Sequence, residues 1–314
     1  MKAGAIVRII LWGLVTAVLC AVLAGGLIYD GFDFPQISLG TDGYRFSDVG
    51  TYSVGDITLD SNTVHSLDIE WVAGSIRIKK SDGDKLVVRE SKLGHPDNEL
   101  RWRIHNGQLQ IRYCKPRIFG LGSLSKDLEI LLPADMLLDG VDLRTIAIEN
   151  VSSRIEIRDI AAQAIEIESV SGNIHLINSD VGMLEMENVS GTVQVLNCTL
   201  DKIETSTVSG NVSAEGTIRQ VELEGVSARL DVISAVCPRE ITCKTVSGSL
   251  HLTIPENAGF VLSLDSLSGN LYAPEFSLTS HGSGKYICGD GTSFFEIESI
   301  SGQVDIQKNV PAND

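Results

Sequence analysis

Carboxylates recur along this chain at a fixed interval, and paired carboxylates are the groups that cleave glycosidic bonds or gather divalent cations. Glu166, Glu185, Glu204 and Glu222 form one series, and Glu149, Glu168, Glu187 and Glu224 form a second that projects beside it. Residues two apart on a strand share a face, so each Glu-x-Glu pair points to one side. A glycosidase needs two carboxyl groups at one defined separation. Here they repeat with the period of the chain itself, which is the pattern of a solvated strand face, so the series is read as an acidic stripe with no catalytic residue. Calcium would require about 6–8 oxygens, usually with carbonyls from a sharp Gly-rich turn. Neither an EF-hand loop nor a Gly-Gly-x-Gly-x-Asp repeat occurs. No metal ligand or cofactor is expected, and weak, diffuse cation binding is the functional alternative.

A second set of polar side chains is close to neutral. Asn173, Thr192, Asn211, Ser249, Asn270 and Gln303 fall on one row, and His175, Gln194, His251 and Tyr272 on the next. Amide, hydroxyl and ring groups in a flat array bind glycans, and they are also ordinary strand surface; this set is the candidate binding face. His175 and His251 lie four repeats apart, too far to share a metal. The Ser of each Val-Ser-Gly unit is assigned to main-chain hydrogen bonding and to no nucleophilic chemistry. No Cys-x-x-Cys or His cluster marks a zinc site. Cys20 lies in an apolar run, which leaves an odd number of cysteines elsewhere and argues against a full disulfide framework. Cys243 falls at an inward position, and a bridge to Cys237 is the alternative to a buried thiol.

A repeat positions these groups. Val-Ser-Gly occurs at Val170, Val189, Val208 and Val246; degenerate copies begin at Val151, Val226, Leu267 and Ile300, with an outlying first copy at Val72. The spacing is about 19 residues until a longer last gap. Apolar residues recur five and three positions before the Val and four and six after it, as in Ile165, Ile167, Ile174 and Leu176. A period of two is a strand period. Each unit reads as strand, Ser-Gly bend, strand, loop, and it buries its apolar face only by stacking on another such coil at ~4.8 Å. The expected fold is all-β: a β-helix-like β-solenoid of two-strand coils, preceded by one transmembrane helix. Gly is expected to supply backbone freedom at the bend.

Residues 9–29 carry no charge, and as a helix at ~1.5 Å per residue they span about 31 Å, the thickness of a bilayer core. Lys2 and Arg8 precede the run while Asp30 and Asp33 follow it, so the positive-inside rule leaves residues 1–8 in the cytoplasm. A cleaved signal peptide is the alternative. The expected order is a short cytoplasmic N-terminus (1–8), a transmembrane helix (9–29), an extracytoplasmic linker (30–60), a first β repeat with capping hairpins (61–132), solenoid repeats (133–308) and a tail (309–314). Asn106-Gly107 between alternating runs marks one hairpin, and the last gap leaves room for an inserted loop or hairpin around residues 276–291. Net charge is −16, with the acid excess in the long C-terminal part. Such a surface repels nucleic acid and anionic headgroups.

The segment Ile69-Glu70-Trp71-Val72-Ala73-Gly74-Ser75-Ile76, the repeated Val-Ser-Gly units and Gly289-Asp290-Gly291 resemble the bacterial adhesin-type family of membrane-anchored β-strand-repeat proteins, a domain family of unknown function. The resemblance implies a β-repeat fold outside the membrane and, through the family's name, a surface-binding role. The leading expectation is a single-pass cell-membrane protein whose extracytoplasmic β-solenoid presents a non-catalytic surface to a glycan or an envelope protein. One rival is an accessory or sensor protein in envelope-stress signalling that acts through a membrane partner. The other is a β-helix enzyme that cleaves polysaccharides.

Overall fold

The structure, a computed structural model, describes residues 44–91, 94–117, 124–137, 143–282 and 284–309. The expected span over residues 9–29 lies outside them; among the described residues no helix is long and apolar enough to cross a membrane. Alternating aliphatic and polar residues make most of the described residues strand. Seven strands precede the regular repeats: β1 (Ser53–Val54), β2 (Ile57–Asp60), β3 (Ser66–Ser81), β4 (Lys85–Glu90), β5 (Arg101–His105), β6 (Gln108–Arg112) and β7 (Lys126–Pro133). The repeats occupy β8 (Thr145–Arg158), β9 (Ala161–Ser171), β10 (Ile174–Ile177), β11 (Asp180–Ile218), β12 (Gln220–Ser234) and β13 (Glu240–Ile254). Then come β14 (Gly259–Ser266), β15 (Asn270–Tyr272), β16 (Thr279–Ser280), β17 (Lys285–Gly289) and β18 (Ser293–Lys308).

From β8 to β13 the recorded pairings are parallel, and each residue lies beside its equivalent one repeat away. Ile148 sits beside Ile167, Leu176 beside Val195 and Leu223 beside Cys243. The expected inward residues from Ile165 and Ile167 to Leu250, Leu252 and Leu262 are buried, Ile146, Ile148, Ile155 and Ile157 join them, and Leu264 is only half-buried. One aliphatic core therefore runs between two parallel faces. The corner opposite Val-Ser-Gly is closed by Asp159, Asn178 and Asn197 at φ of 56°, 50° and 54°. Asp and Asn accept this left-handed conformation better than other side chains, and Asn178 Nδ2 donates to Asp159 Oδ1 at 3.1 Å.

The Val-Ser-Gly corner uses the expected backbone freedom at two of its glycines, and a close approach between layers adds a second reason at all of them. Gly172 and Gly191 have φ of 142° and 139°, whereas Gly210, Gly248 and Gly302 are not in the positive region. What they share is a carbonyl of the adjacent layer. An added Cβ would lie 2.3 Å from the Ser153 carbonyl oxygen at Gly172, 2.1 Å from that of Gly172 at Gly191, and 2.6 Å from that of Gly191 at Gly210. The adjoining Ser fastens layers together: Ser152 Oγ donates to the Val72 carbonyl at 3.2 Å and Ser171 Oγ to that of Val151 at 3.3 Å. The residue before the Val points inward and is polar. Asn150 Nδ2 donates to Ser169 Oγ at 3.0 Å and Thr207 Oγ1 to Asn188 Oδ1 at 2.8 Å, so these buried groups satisfy one another between layers.

Stacking order departs from chain order at both ends. The first copy, β3, pairs directly with β8. The strands between them fold outward: β6 and β7 pair with the two halves of β3, and β5, β1, β4 and β2 add antiparallel edges. At the other end β13 pairs with β18, which returns to lie between β13 and the strands β14 and β15. The expected insertion is a hairpin, β16–β17, antiparallel beside β14. The Asn106-Gly107 hairpin joins β5 to β6 with φ of 51° and 77°.

Residues 44–60 correct the expected linker, because they belong to the cap. Tyr44 bridges Arg117 and is buried, and β1 and β2 are paired strands. Runs this short show no period, which is why they read as a linker.

Rings gather at the two ends. Residues 120–259 contain no Phe, Tyr or Trp. At one end Trp71 and Tyr113 meet edge to face at 4.8 Å, and the Lys126 ammonium lies 4.8 Å and 4.7 Å from their centroids. That ammonium pairs with Glu90 and donates to the Asn98 carbonyl at 2.7 Å. At the other end Phe260 stacks on Phe295 at 4.8 Å and meets Phe276 at 5.3 Å.

The corner geometry predicts that Gly191→Ala destabilises the chain by about 2 kcal/mol or more, through overlap with the adjacent main chain together with strain at its φ of 139°. Thr192→Ala, beside it on the outward row, is expected to stay within about 0.5 kcal/mol. Urea unfolding followed by circular dichroism measures both, and coincident midpoints would refute this account of the glycine.

Candidate functional site

The acidic stripe is built on the first strand of each coil. Glu149 lies beside Glu168, Glu166 beside Glu185, Glu168 beside Glu187 and Glu204 beside Glu222. Parallel in-register pairing forces this, because like residues fall at like positions. The stripe extends further than the repeats alone indicate: Glu70 of β3 lies beside Glu149. Its cations stand toward the ends. Arg112 is 2.7 Å from Asp68 and 2.8 Å from Glu70, Lys202 is 2.6 Å from Glu204 and 2.8 Å from Glu222, and Lys244 is 3.7 Å from Glu224.

The stripe is not uniformly solvated, as expected from its outward parity. Burial, reinforced by the charges of Glu70, Asp68 and Glu168, pushes the Glu149 carboxyl up to about 8. Glu149 Oε2 is buried with no hydrogen-bond partner. Glu70 is raised to about 7, chiefly by burial, with Arg112 opposing. Glu168 and Glu185 are also raised, by burial first and then by neighbouring carboxylates. The cap contributes to the difference: β6 continues the sheet past β3 and brings Arg112 to Asp68 and Glu70, an arrival that is not written in the repeat. Among the described residues no three His, Cys, Asp or Glu side chains converge as a metal site.

The candidate binding face is the second strand of each coil. His175 lies beside Gln194. Further along, Asn211, Arg229, Ser249, Gln303 and Asn270 fall in one row, and Asp231, His251, Asp305 and Tyr272 in the next. Asn173 and Thr192 sit just ahead of the strand segments that carry His175 and Gln194, Asn173 exposed and Thr192 half-buried. The structure thus places the predicted polar residues on one face, but it interposes β18 between Ser249 and Asn270. It also adds Asp305, which sequence reasoning missed. Asp305 stands at an outward position between inward Val304 and Ile306, yet it is 8% exposed. Its Oδ2 accepts from Gln307 Nε2 at 3.0 Å and lies 3.5 Å from His251 Nδ1, while Oδ1 is buried without a partner. The signal lay in the long last gap, which brings β18 back inside β15. The Cys237–Cys243 bridge does not form: both are free thiols, Cys243 in the core and Cys237 3.6 Å from Ser293 Oγ.

The family model described as Toastrack DUF4097 matches residues 64–307, which is the whole stack from β3 to β18. The chain belongs to the Toastrack DUF4097 family. It is a domain family of unknown function, as the Val-Ser-Gly resemblance implied, so membership defines an architecture and leaves activity open. Among solved structures, a "putative lipid binding protein" from Parabacteroides distasonis ATCC 8503 is 18% identical, with 83% of this chain and 98% of that one covered at a TM-score of 0.46. A "putative adhesin" from Parabacteroides merdae ATCC 43184 is 14% identical, covering 83% and 95% at 0.40. Another from Bacteroides fragilis NCTC 9343 is 12% identical, covering 82% and 97% at 0.40. Likenesses this distant speak to neither ligand nor activity. No curated protein matches the chain.

The raised carboxyls of this Toastrack domain give its stability a sign with pH. Glu70 and Glu149 keep their protons in the folded chain where the unfolded chain, with carboxyls near 4.5, has released them. Their stabilisation is full below the unfolded value and is lost as pH rises through about 7 and about 8. The melting temperature is expected to fall between about pH 5 and pH 9. Glu149→Gln, which keeps the neutral shape, should raise it at the alkaline end by about 2–4 °C and flatten the slope. Calorimetric scans across that range check both, and a wild-type Tm that rises with pH would refute the assignment.

Proposed function

We propose that this chain is a non-catalytic, membrane-anchored scaffold that presents the outward face of its solenoid to a component of the cell envelope. One observation carries the reading: the side chains of the second strands stand in two adjacent rows, with His175 beside Gln194 in one and Asn211, Arg229, Ser249, Gln303 and Asn270 in register in the other. They form a flat, extended array, and both ends of the stack are capped. Flat arrays hold an extended ligand by many weak contacts and do not enclose a reacting bond, whereas catalytic sites are concave and converge their groups. The stack leaves little room for rearrangement, because each inner coil is hydrogen-bonded to two neighbours, so recognition is by a preformed surface. In this reading residues 9–29 anchor the scaffold and the solenoid lies outside the membrane, supported by the charge asymmetry around that run.

The test uses the full-length chain. External protease on intact cells is expected to degrade the solenoid, and the purified protein in detergent micelles is expected to bind envelope fractions saturably without releasing reducing ends from polysaccharide. Protection on intact cells would refute the topology. Time-dependent release of reducing ends would make the chain a polysaccharide-cleaving enzyme instead.

A further inference from the structure

The polar face is regular along most of its length, and it departs from regularity at one place. In the row that contains Glu156, His175, Gln194, Ser213, Asp231 and His251, each residue is half-buried, as an outward strand position should be. Asp305 alone in that row is buried, at 8% exposure, and its Oδ1 has no partner. A buried carboxylate oxygen left unpaired is costly, and such groups in native folds call for an explanation. Next to it in register stands Tyr272, an aromatic ring 54% exposed on a strand that, among the described residues, pairs with β18 alone. His251 lies on the other side of Asp305, and Gln303 and Asn270 lie beside each other one row away. An exposed ring, two amides, an imidazole and an acceptor with a free lone pair are thus gathered on three adjacent strands.

We propose that this patch, centred on Tyr272 and Asp305, is a carbohydrate-binding subsite for a neutral pyranose chain. The Tyr272 ring offers a flat apolar platform to the C–H face of a sugar while its hydroxyl remains available for hydrogen bonding. Asp305 Oδ1 is buried in the free chain, and a turn of the Asp305 side chain toward the ligand lets it accept from a sugar hydroxyl, which removes its unpaired state. Asn270 and Gln303 supply both donors and acceptors, which suits vicinal hydroxyls. Net charge of −16 repels anionic polymers, and this favours neutral saccharides over uronates or teichoic-type phosphates. The edge of β15 leaves room for a chain to continue past the ring. This inference rests on the binding-surface reading and names its ligand class.

The full-length chain in detergent micelles is applied to an array of neutral oligosaccharides (cellohexaose, mannohexaose, chitohexaose) and anionic ones (oligogalacturonate, hyaluronate), and the strongest neutral probe is then titrated. Tyr272→Ala is expected to weaken it at least tenfold, Tyr272→Phe to stay within threefold, and Lys80→Ala, an exposed cap residue, to leave it unchanged. Asp305→Ala should weaken binding, with its melting curve recorded to separate misfolding from loss of contact. Neutral binding that survives Tyr272→Ala would overturn the subsite while leaving the scaffold reading intact. Binding of anionic probes alone, or of no saccharide by a chain that still captures envelope protein, would overturn the ligand class only. A chain that binds neither saccharide nor envelope fraction would overturn both.

Discussion

Each layer of this chain lies one strand spacing, ~4.8 Å, from a layer of nearly the same sequence. That distance decides which residues each position admits. Inward positions must stack on themselves without gaps, and Ile, Val and Leu do so, while a ring in one coil would require rings or voids in the next. The corner must pass under the carbonyl of the adjacent corner, and only the absence of a Cβ at Gly172 and Gly191 allows it. Buried amides and hydroxyls at the position before the Val are tolerable where the next layer offers a partner, as Ser169 does for Asn150, while Thr245 and Ser299 lack one. The same rule acts against charge: a glutamate that recurs must face glutamates above and below, and where the cap also removes water, Glu149 is pushed toward its protonated form.

A stack must also end, and the ends are where like-on-like pairing stops. An open last layer would present unpaired strand edges and an exposed aliphatic core. The chain solves this in the same way twice, by sending a segment outward before the adjacent inner layer is laid down. β3 and β18 are therefore held from both sides, and the outermost strands turn antiparallel. Rings, absent from the middle, fill the cross-section at these termini. Lys126 sits fully buried between Trp71 and Tyr113, where burial lowers its affinity for the proton and raises that of Glu90. The pair holds because each charge has the other, with a carbonyl and two ring faces completing the shell of the ammonium.

What could be read in advance follows from this division. Inward and outward parity, the core from Ile146 to Leu252 and the Asn106-Gly107 hairpin were all legible, because periodicity and turn chemistry are local properties. The series Asp159, Asn178, Asn197, eight positions after each Val, was equally local and marks the second corner by its tolerance of positive φ. Pairing order was not legible. Nothing in the sequence of β18 states that it enters between β13 and β15, since both neighbours present the same inward pattern. The second role of Gly191 was hidden for a related reason: its φ follows from the bend, but a close approach between layers leaves no trace within one layer. Tyr44 and Tyr52 went unread as cap residues because their strands and bridges are too short to show a period.

A periodic surface is also a poor place to invent a specific site. A substitution in a middle coil has neighbours on both sides that must accommodate it, and the period pulls each row toward a single residue class. The first and last layers are free of that constraint on one side. The departures from the rule fall there: Arg112 against Asp68 and Glu70 at one end, Asp305 beside Tyr272 and His251 at the other. The first departure is closed, since the guanidinium and carboxylates answer one another within the cap. The second is open, with a ring facing solvent and a carboxylate oxygen still unanswered. Of the two, the open one joins its unused acceptor to an exposed ring, and it lies at the end of the stack farthest from residues 9–29 along the chain.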